Sequence, residues 1–292
     1  MPELPEVETT VRDLRKKIVG LKFKDVWTDW PKSFKKAGGF NDFKKSVKDQ
    51  KILDIKRRAK FIVIDIEGSY SVFIHQKISG HLLYGTWNME HGIWKATKEG
   101  PLKDDPKNRF IRTMFFLSNG HQLAFSDLRR FGKIILVKDG EIEEIKEIKK
   151  LGPEPLEIRL NEFSSLFERK KGKIKQVLMD PYFIAGIGNI YSDEILWDSG
   201  IHPLSRTENL SESDIKHIYN SIQKILDKAV REGGTSIEDY RKVSGEMGKY
   251  QDHTKAYHQH RKKCSKQDGG IIERIKVGGR SAHFCPKHQK LR

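Results

Sequence analysis

The chain has 292 residues, of which 36% are hydrophobic and 10% aromatic. This composition excludes a disordered polyelectrolyte and leaves room for about two domains. The sequence has no apolar run of about 18 residues, no basic and apolar leader, and only two cysteines, so we expect neither a membrane protein, an exported protein nor a disulfide framework. A cytoplasmic protein is therefore predicted.

Basic residues are in excess, and the excess is concentrated at the C-terminus. The chain carries 56 Lys and Arg against 40 Asp and Glu, a net charge of +16. Residues 241–292 contain 14 basic and 4 acidic side chains, which is +10 of that total. A polyanionic partner such as nucleic acid accounts for this bias, and so does a lysine-rich solubilising surface.

The first 150 residues are predicted to form a β-domain with one packed helix. Between Glu6 and Val19, four apolar residues spaced by four, three and four positions indicate an amphipathic helix. They are Val7, Val11, Leu14 and Ile18. Apolar runs bounded by turn residues predict antiparallel strands, among them 60–66, 70–75, 112–117 and 132–137. The polar stretch 85–108 is interpreted as an exposed loop or insertion. The pattern favours a two-sheet sandwich.

A change of pattern at Leu151-Gly-Pro-Glu-Pro marks a domain boundary, because two prolines so close together exclude both a helix and a central strand. Four helices are then predicted, at 160–167, 174–179, 190–198 and 211–232. From about Tyr257 the chain changes again, to two short strands around a Val277-Gly-Gly turn. The predicted fold is α+β: an N-terminal β-sandwich domain (1–150), a helical domain (151–256) and a C-terminal zinc-ribbon-like β-hairpin (257–292).

The N-terminus offers the first candidate for chemistry. Removal of Met1, expected before a small residue, would leave Pro2 with a free secondary amine. An α-amino group titrates at about 7.7 to 8.0, so part of it is neutral and nucleophilic at physiological pH, and attack on a sugar C1′ would give an iminium ion. Glu3 could transfer protons and Glu6 could orient the pocket. The same segment also suits an ordinary helix start, with Pro5 in its first turn.

The C-terminal segment has part of the spacing of a zinc ribbon. Cys285-Pro-Lys-His288 supplies one Cys/His pair and Cys264 a third ligand. The candidates for a fourth ligand are His260, His258 and Asp268. A metal-free hairpin held by packing is the alternative. In either case Arg280, beside the Gly278-Gly279 turn, is suited to contact phosphates.

Two further segments are suited to nucleic acid. Asp127-Leu-Arg-Arg-Phe-Gly132 places two arginines and an aromatic ring at a strand end, where a guanidinium can read a base edge and a ring can separate base pairs. The glycines of Ala185-Gly-Ile-Gly-Asn-Ile-Tyr191 precede a helix and can bring backbone N–H groups to an anion. The structural alternatives are a solvated strand edge with Phe131 in the core, and a simple turn between helices.

Taken in chain order, these segments resemble bacterial formamidopyrimidine-DNA glycosylase over nearly the whole sequence. The matching motifs are Met1-Pro-Glu-Leu-Pro-Glu-Val-Glu-Thr, Arg57-Arg-Ala-Lys60-Phe, His75 with Ser79-Gly80, Asp127-Leu-Arg-Arg-Phe-Gly, Leu151-Gly-Pro-Glu-Pro-Leu, Gly186-Ile-Gly-Asn-Ile-Tyr, Gly233-Gly-Thr-Ser and Gly278-Gly-Arg280. The resemblance implies a β-sandwich, a helix-two-turn-helix domain and a zinc hairpin. It also implies a monomeric, nucleoid-associated glycosylase/AP lyase that removes 8-oxoguanine and formamidopyrimidines from duplex DNA without an organic cofactor.

The resemblance further implies roles for matched residues. Pro2 would displace the damaged base and form a Schiff base, and Glu3 would protonate the sugar ring. Lys60 would bind the phosphate beside the lesion and donate a proton in β-elimination, whereas Arg280 would hold flanking phosphates and take part in δ-elimination. The segment 233–250 matches the loop that closes over an everted 8-oxoguanine.

DNA contacts are implied in the same way. Arg129 would read the cytosine left opposite the lesion, and Phe131 would wedge the duplex open. The residues implied to hold the DNA backbone are His75, Arg130, Lys170, Asn189 and Tyr191.

Three departures from the family pattern change these expectations. Ile78 replaces the methionine that fills the vacated base space, so we expect the wedge to survive with an altered opposite-base preference. Arg109 and Arg112 stand in the stretch where the family has DNA-contacting histidines. The hairpin lacks two of the four usual cysteines, so zinc would be held by Cys264, Cys285 and His288 with either His260 or Asp268.

Two other functions remain as alternatives. An endonuclease VIII-like enzyme would remove oxidised pyrimidines, although Leu4 and the long segment after Gly233 favour oxidised purines. A non-catalytic DNA-binding relative would have no need of the N-terminal amine. The residues that argue against such a relative are Pro2, Glu3, Lys60 and Arg280.

Overall fold

A computed structural model describes residues 1–138, 140–141 and 145–292 of the chain. It contains two compact units, which are described separately. The first comprises Met1–Lys149 and Val230–Gln251, and the second comprises Lys150–Ala229 and Asp252–Arg292. The predicted domain boundaries at residues 150 and 256 stay a prediction.

Two four-stranded antiparallel sheets form the centre of the first unit. The strands of the first sheet, in spatial order, are β1 (Phe23–Thr28), β8 (Ile111–Leu117), β9 (Gln122–Ser126) and β5 (His81–Gly85). Those of the second are β10 (Lys133–Lys138), β4 (Tyr70–His75), β3 (Phe61–Ile66) and β2 (Ile52–Arg58). Apolar side chains from both sheets share one core. The strands predicted from the sequence are thus confirmed, as is the sandwich.

Helix α1 (Leu4–Ile18) packs against the second sheet through the stripe that its sequence predicts. All four residues of that stripe are buried in the shared core: Val7, Val11, Leu14 and Ile18. Helix α2 (Phe40–Val47) and a 3₁₀ helix (Pro31–Ala37) add Phe34 and Phe43 to the same core. The first unit therefore has a hydrophobic core that fixes the sheet and α1 together.

The stretch 85–108 is mostly exposed, as predicted, and it is an insertion with short elements of its own and not a plain loop. This excursion contains strands β6 (Trp87–Glu90) and β7 (Ile93–Ala96), helix α3 (Pro101–Asp104) and a 3₁₀ helix (Pro106–Arg109). Trp87 is buried, and Trp94 packs edge-on against Trp27. Its two tryptophans stand apart from each other among polar and turn residues, so the sequence does not indicate that they anchor the excursion to the first sheet.

The second unit is helical and ends in a hairpin. Its helices are α5 (Leu160–Ser165), α6 (Ile174–Leu178), α7 (Asn189–Ser199) and α8 (Glu212–Arg231). The last two residues of α8 belong to the first unit, as does the short helix α4 (Lys146–Lys149), which ends just before the second unit begins. Ser211 begins α8 as predicted, since its Oγ accepts from the N–H of Asp214 at 3.2 Å. Strands β11 (Glu273–Val277) and β12 (Arg280–Phe284) form the predicted hairpin. None of the described helices is long and apolar enough to cross a membrane.

Candidate active site, DNA-contact residues and metal cluster

The N-terminal residues are buried and held by the carboxylate of Glu6. Pro2 is buried and Glu3 is only 2% exposed. The Glu3 N–H donates to Glu6 Oε2 at 2.7 Å, and the Thr235 N–H donates to Glu6 Oε1 at 2.8 Å. Gly234 makes this approach possible, because its φ is +75° and a Cβ there would lie 2.8 Å from Glu6 Oε1. One carboxylate thus fixes both the start of the chain and the start of the segment 233–250.

Lys60 and His75 lie at the same end of the second sheet. Lys60 belongs to the two-residue turn that joins β2 to β3, where Arg58 pairs with Phe61. Phe61 pairs in turn with His75, whose ring it contacts edge-on at 4.7 Å, and His75 pairs with Lys133. The sheet register therefore brings together Lys60, His75 and Lys133, which span more than 70 residues of the sequence.

The surroundings of His75 favour a neutral imidazole. Burial, together with the charges of Lys77, Lys60 and Lys133, holds the pKa of His75 well below its ordinary value. Its Nδ1 accepts from the Lys77 N–H at 2.9 Å, which leaves the proton on Nε2. His75 can therefore donate one hydrogen bond, as a phosphate contact requires.

A buried carboxylate shapes the turn 127–132. Asp127 Oδ1 accepts from Ser79 Oγ at 2.6 Å, and its Oδ2 accepts from the Gly132 N–H at 2.8 Å. Ser79 Oγ also accepts from the Arg129 N–H at 2.9 Å. A Cβ at Gly132 would lie 2.4 Å from the Phe125 ring, so only glycine fits. These bonds define the loop backbone that carries the two candidate DNA-reading side chains.

Phe131 is 51% exposed, so the alternative that places it in the core is wrong. The exposed Arg129 guanidinium lies over its ring, 5.6 Å from the centroid. An exposed phenylalanine at the tip of a rigid turn has the geometry of a wedge.

Asp29 is a site residue that sequence reasoning missed. Its Oδ2 accepts from Arg112 Nη1 at 2.9 Å and from Arg130 Nη2 at 3.1 Å. Trp30 lies beside the pair, with the Arg130 guanidinium 5.5 Å from its ring centroid. The two predicted DNA contacts are therefore gathered by one carboxylate, which no local motif around Asp29 reveals. Arg109 is exposed, and Ile78 is partly exposed in the turn after β4.

The DNA-contact candidates of the second unit differ in accessibility. Lys170 Nζ donates to Asp180 Oδ2 at 2.5 Å. Asn189 begins α7, and its buried Oδ1 has no hydrogen-bond partner among the described residues. Tyr191 is fully buried, and Gly186, in the turn before α7, has a φ of +86°. Arg280 is exposed at the start of β12.

The turn before Arg280 is one that glycine permits. Gly278 and Gly279 have φ of +58° and +77°, the signature of a type I′ hairpin turn. A Cβ at Gly278 would lie 2.3 Å from Gln176 Nε2 on α6. The hairpin tip thus packs closely against α6.

A buried ionic network connects α6, α7 and the hairpin, and no sequence pattern indicates it. Lys175 Nζ donates to Asp193 Oδ1 at 2.6 Å, and both side chains are 0% exposed. Asp193 Oδ2 accepts from the backbone N–H of His283 and contacts its Nδ1, each at 2.9 Å. The neighbouring Glu194 accepts from three successive backbone N–H groups, those of Lys255, Ala256 and Tyr257. Burial nevertheless raises the pKa of Glu194 to about 7.

Four potential metal ligands converge beside the hairpin. They are Cys264, Asp268, Cys285 and His288, and their ligand atoms all lie within 4.8 Å of one another. His258 and His260 are exposed and lie outside this group. Two thiols, one carboxylate and one imidazole are a donor set of the kind and number that a tetrahedral divalent ion requires. The cluster is able to bind a metal ion.

The surrounding residues orient these ligands. His288 Nε2 lies 3.0 Å from the carbonyl oxygen of Trp197, so the Nε2–H donates there and Nδ1 turns its lone pair toward the cluster. A Cβ at Gly270 would lie 2.3 Å from Cys285 Sγ, so the loop approaches the thiol closely. Burial, together with the nearby Cys264 thiol, raises the pKa of the Cys285 thiol to about 11. A bound cation would stabilise the thiolate that burial disfavours.

Comparisons with known proteins agree along the whole chain. Residues 1–134 match the family model described as the formamidopyrimidine-DNA glycosylase N-terminal domain, and residues 151–241 match that of the formamidopyrimidine-DNA glycosylase H2TH domain. The formamidopyrimidine-DNA glycosylase of Pelotomaculum thermopropionicum is 36% identical over 100% of both chains. That of Herpetosiphon aurantiacus is 33% identical over 98% of both.

Solved structures give the same result. The complex of Lactococcus lactis Fpg with DNA that contains an abasic site has a TM-score of 0.84 at 33% identity, and the match covers 99% of both chains. The complex of the same protein with Fapy-dG DNA has a TM-score of 0.83 at 33% identity, covering 99% of this chain and 100% of that one. The chain belongs to the formamidopyrimidine-DNA glycosylase family.

Proposed function

We propose that this protein is a bifunctional DNA glycosylase and AP lyase of base excision repair, which removes oxidised purines from duplex DNA. The observation that carries the proposal is the buried Pro2-Glu3 terminus, held by Glu6, in a chain that matches glycosylases over its full length. Two of the matching structures contain DNA with an abasic site or with Fapy-dG. The substrates are 8-oxoguanine and formamidopyrimidines in duplex DNA.

Base removal uses the amine that remains after Met1 is cleaved off. The Pro2 nitrogen attacks C1′ of the damaged nucleotide: the N–C1′ bond forms as the glycosidic bond breaks, the base leaves with its bonding electron pair, and the proton carried by the nitrogen is transferred to the departing base. Glu3 donates a proton to the sugar ring oxygen, so that the ring opens to an iminium ion. Glu6 is a positioning residue, since it holds the backbone N–H of Glu3 at 2.7 Å.

Strand cleavage follows from the same iminium ion, which acts as an electron sink. Loss of a C2′ proton expels the 3′ phosphate, and a second elimination expels the 5′ phosphate. Lys60, on the β2–β3 turn, binds the phosphate beside the lesion and donates a proton during β-elimination. Arg280, on the β11–β12 hairpin, binds flanking phosphates and takes part in δ-elimination.

Other exposed groups hold and open the duplex. Arg129 reads the cytosine left unpaired, and Phe131 inserts between neighbouring base pairs. The position of both side chains on the 127–132 turn, with the Arg129 guanidinium over the Phe131 ring, supports these roles. Ile78 fills part of the vacated space. The proposed phosphate contacts are His75, Arg109, Arg112, Arg130, Lys170 and Asn189. The buried Tyr191 is proposed to support the glycine turn before α7, through which the backbone would contact phosphate.

The metal cluster is proposed to hold structural zinc through Cys264, Cys285, His288 and Asp268. Zinc supplies folding free energy to the hairpin and no chemistry to the reaction. Asp268 is preferred to His260 as the fourth ligand because its Oδ2 lies 2.9 Å from His288 Nδ1 and 3.5 Å from Cys285 Sγ. We further propose that the protein acts as a cytoplasmic monomer on nucleoid DNA, without an organic cofactor.

Borohydride trapping on a duplex with 8-oxoguanine opposite cytosine tests the proposal. We expect a strong covalent adduct with the wild type and a much weaker one with Pro2→Gly, because glycine keeps an N-terminal amine but replaces the secondary amine, whose iminium ion is permanently charged, with a primary amine. Pro5→Ala is the matched control: it removes a proline from the same segment without changing the amine, and it should retain the adduct. Mass spectrometry of the intact protein should show that Met1 is absent.

Two outcomes would favour the alternatives. Much faster cutting of thymine glycol duplexes than of 8-oxoguanine duplexes would assign the protein to oxidised pyrimidines. Tight, salt-sensitive DNA binding with a processed N-terminus and no adduct on either lesion would identify a non-catalytic DNA-binding relative.

A further inference from the structure

The segment 233–250 has a defined conformation in the first unit, held by bonds along its whole length. At its start, the Thr235 N–H donates to Glu6 Oε1 at 2.8 Å. At its middle, the Tyr84 N–H of strand β5 donates to the carbonyl oxygen of Val243 at 2.8 Å, and Val243 lies in the core. At its end, the Tyr250 N–H donates to the Gly234 carbonyl at 3.0 Å.

The last residues of the 85–108 excursion, 105 to 108, supply a further set of contacts to this segment. Arg241 is 7% exposed, and its Nε donates to Asp105 Oδ2 at 2.5 Å. Its Nη1 donates to the carbonyl oxygen of Tyr240 at 2.8 Å. Lys107 Nζ donates to Asp239 Oδ1. Two ion pairs therefore connect the excursion to the segment, at Asp239 and Arg241.

Asn108 adds a buried contact that leaves little freedom. It is 1% exposed, and its amide nitrogen donates to the carbonyl oxygens of Pro101 at 2.8 Å and Gly245 at 3.1 Å. Both amide protons are then used, so Asn108 Oδ1 must accept, and His81 Nε2 lies 3.0 Å away. Gly245 has φ of +84°, and a Cβ there would lie 2.8 Å from Asn108 Nδ2. The segment thus touches the excursion at a position where no side chain fits.

We propose that Asp105 and Asn108 are positioning residues that hold the segment 233–250 in place for base removal. The excursion has no part in the chemistry of base removal, and its buried Asn108 and partly buried Asp105 bond to the segment, with Asn108 also contacting His81 on β5. Buried polar groups rarely persist without a structural or functional requirement, because leaving them unpaired is costly. Holding the segment satisfies that requirement.

The consequence for activity runs through Glu6 and rests on the proposed function. The segment begins at the Glu6 carboxylate, which also holds Glu3 beside the Pro2 nucleophile. A base attached to the sugar under attack must therefore lie close to the segment, whereas an abasic sugar has no base for the segment to meet. Release of the segment should slow base removal and spare cleavage at an abasic site.

The test compares Asp105→Ala and Asp105→Asn with the wild type in two assays. Tryptic cleavage after Lys242 and Lys249, identified by mass spectrometry of the full chain, reports release of the segment. Single-turnover rates on 8-oxoguanine duplexes and on preformed abasic duplexes report the two reactions. For Asp105→Ala we expect tryptic cleavage at these sites to rise about tenfold and excision to fall about tenfold, with abasic-site cleavage changed less than about twofold. Asp105→Asn keeps an acceptor for Arg241 and should restore part of the excision rate.

The matched control is Glu99→Ala, which removes the exposed ion pair with Lys103 in the same excursion and leaves the segment untouched. It should match the wild type in both assays. Equal losses of both reactions in Asp105→Ala, or the same losses in Glu99→Ala, would overturn the proposal, as would unchanged tryptic cleavage. If the wild type excises no oxidised purine, the proposed function fails, and with it the positioning role; tryptic cleavage would then still show whether Asp105 holds the segment.

Discussion

Two hairpin turns each carry a basic residue proposed to bind phosphate, and different forces hold them. Lys60 lies on the β2–β3 turn, within a four-stranded sheet backed by α1 and a large apolar core. Arg280 follows the β11–β12 turn, in a sheet of only two strands. A two-stranded hairpin is at best marginally stable on its own. The hydrophobic effect is therefore sufficient to place Lys60, whereas we expect Arg280 to depend on buried polar contacts and on the zinc proposed for the cluster of Cys264, Asp268, Cys285 and His288.

Disruption of the proposed metal site should produce the largest difference in stability between the Arg280 hairpin and the sheet that carries Lys60. Cys285→Ser removes one thiolate from the cluster with little change in volume, and a structural zinc site contributes on the order of 10 kcal/mol to the folding of a small zinc module. We expect metal content to fall below one ion per chain, tryptic cleavage to rise at Arg261–Lys266, and DNA binding to be lost. The sheet that carries Lys60 should keep its hydrogen-exchange protection. Full DNA affinity in a metal-free variant would show that packing alone holds the hairpin.

The buried ionic network should contribute the next most to the stability of the Arg280 hairpin. Asp193→Ala leaves Lys175 charged and unpaired in the interior, which should lower the free energy of unfolding of the second unit by about 3 to 5 kcal/mol. Denaturant unfolding measures the loss. Asp198→Ala, on the same helix, removes the contact with the exposed Lys224 and a hydrogen bond from Ser221, and should cost about 1 to 2 kcal/mol. Similar costs for both variants would mean that Lys175 finds another partner or loses its proton.

Sequence patterns predicted the hydrophobic part of this comparison well and the polar part poorly. The spacing of Val7, Val11, Leu14 and Ile18 predicted the buried face of α1, because helical periodicity is local. The resemblance and the turn glycines indicated the Lys60 and Arg280 turns. The sequence left the fourth metal ligand open among three residues, since only the folded loop brings Asp268 to His288.

Long-range polar contacts carry no local signal. Asp29 pairs with arginines 83 and 101 positions away, and Asp105 pairs with Arg241 at a separation of 136. Each of these acids looks like an ordinary surface residue in its own window of sequence. The apolar contact of the largely exposed 85–108 excursion with the first sheet was missed for a related reason, because Trp87 and Trp94 stand apart from each other among polar residues.

The two units should respond to pH in opposite directions. Burial lowers the pKa of His81 in the first unit to about 4, so stability is full above about pH 6.5 and is lost as the pH falls from there toward 4. Burial raises the pKa of Glu194 in the second unit to about 7, so stability is greatest below about pH 4.5 and falls as the pH rises to 7. Each change should amount to about 3 kcal/mol.

The variants His81→Gln and Glu194→Gln isolate these contributions. The difference in unfolding free energy between wild type and variant, followed against pH, should change below pH 6.5 for His81 and between pH 4.5 and 7 for Glu194. Hydrogen exchange assigns each change to its unit. A flat difference for either residue would mean that the folded and unfolded states bind its proton equally.

The smallest expected effect concerns the charge beside the 127–132 turn. Asp29 pairs with Arg112 and Arg130 while it is 32% exposed, so Asp29→Asn should change stability by less than about 1 kcal/mol. Asp29→Asn should, however, leave Arg112 and Arg130 available to bind phosphate. The affinity for undamaged duplex DNA should then rise about two- to fivefold and should depend more steeply on salt concentration. Asp25→Asn is the control, since Asp25 lies on β1, which Asp29 directly follows, and pairs with Lys44.

The direction of this last change distinguishes two roles for Asp29. A carboxylate that screens the arginines weakens non-specific binding, and its removal strengthens binding to any duplex. A carboxylate that orients them improves contact with DNA, and its removal weakens binding although net positive charge rises. Because both arginines share the single atom Oδ2, at 2.9 and 3.1 Å, and neither is held bidentately, we expect screening to dominate. Weaker binding by Asp29→Asn would show instead that orientation matters more than charge at this turn.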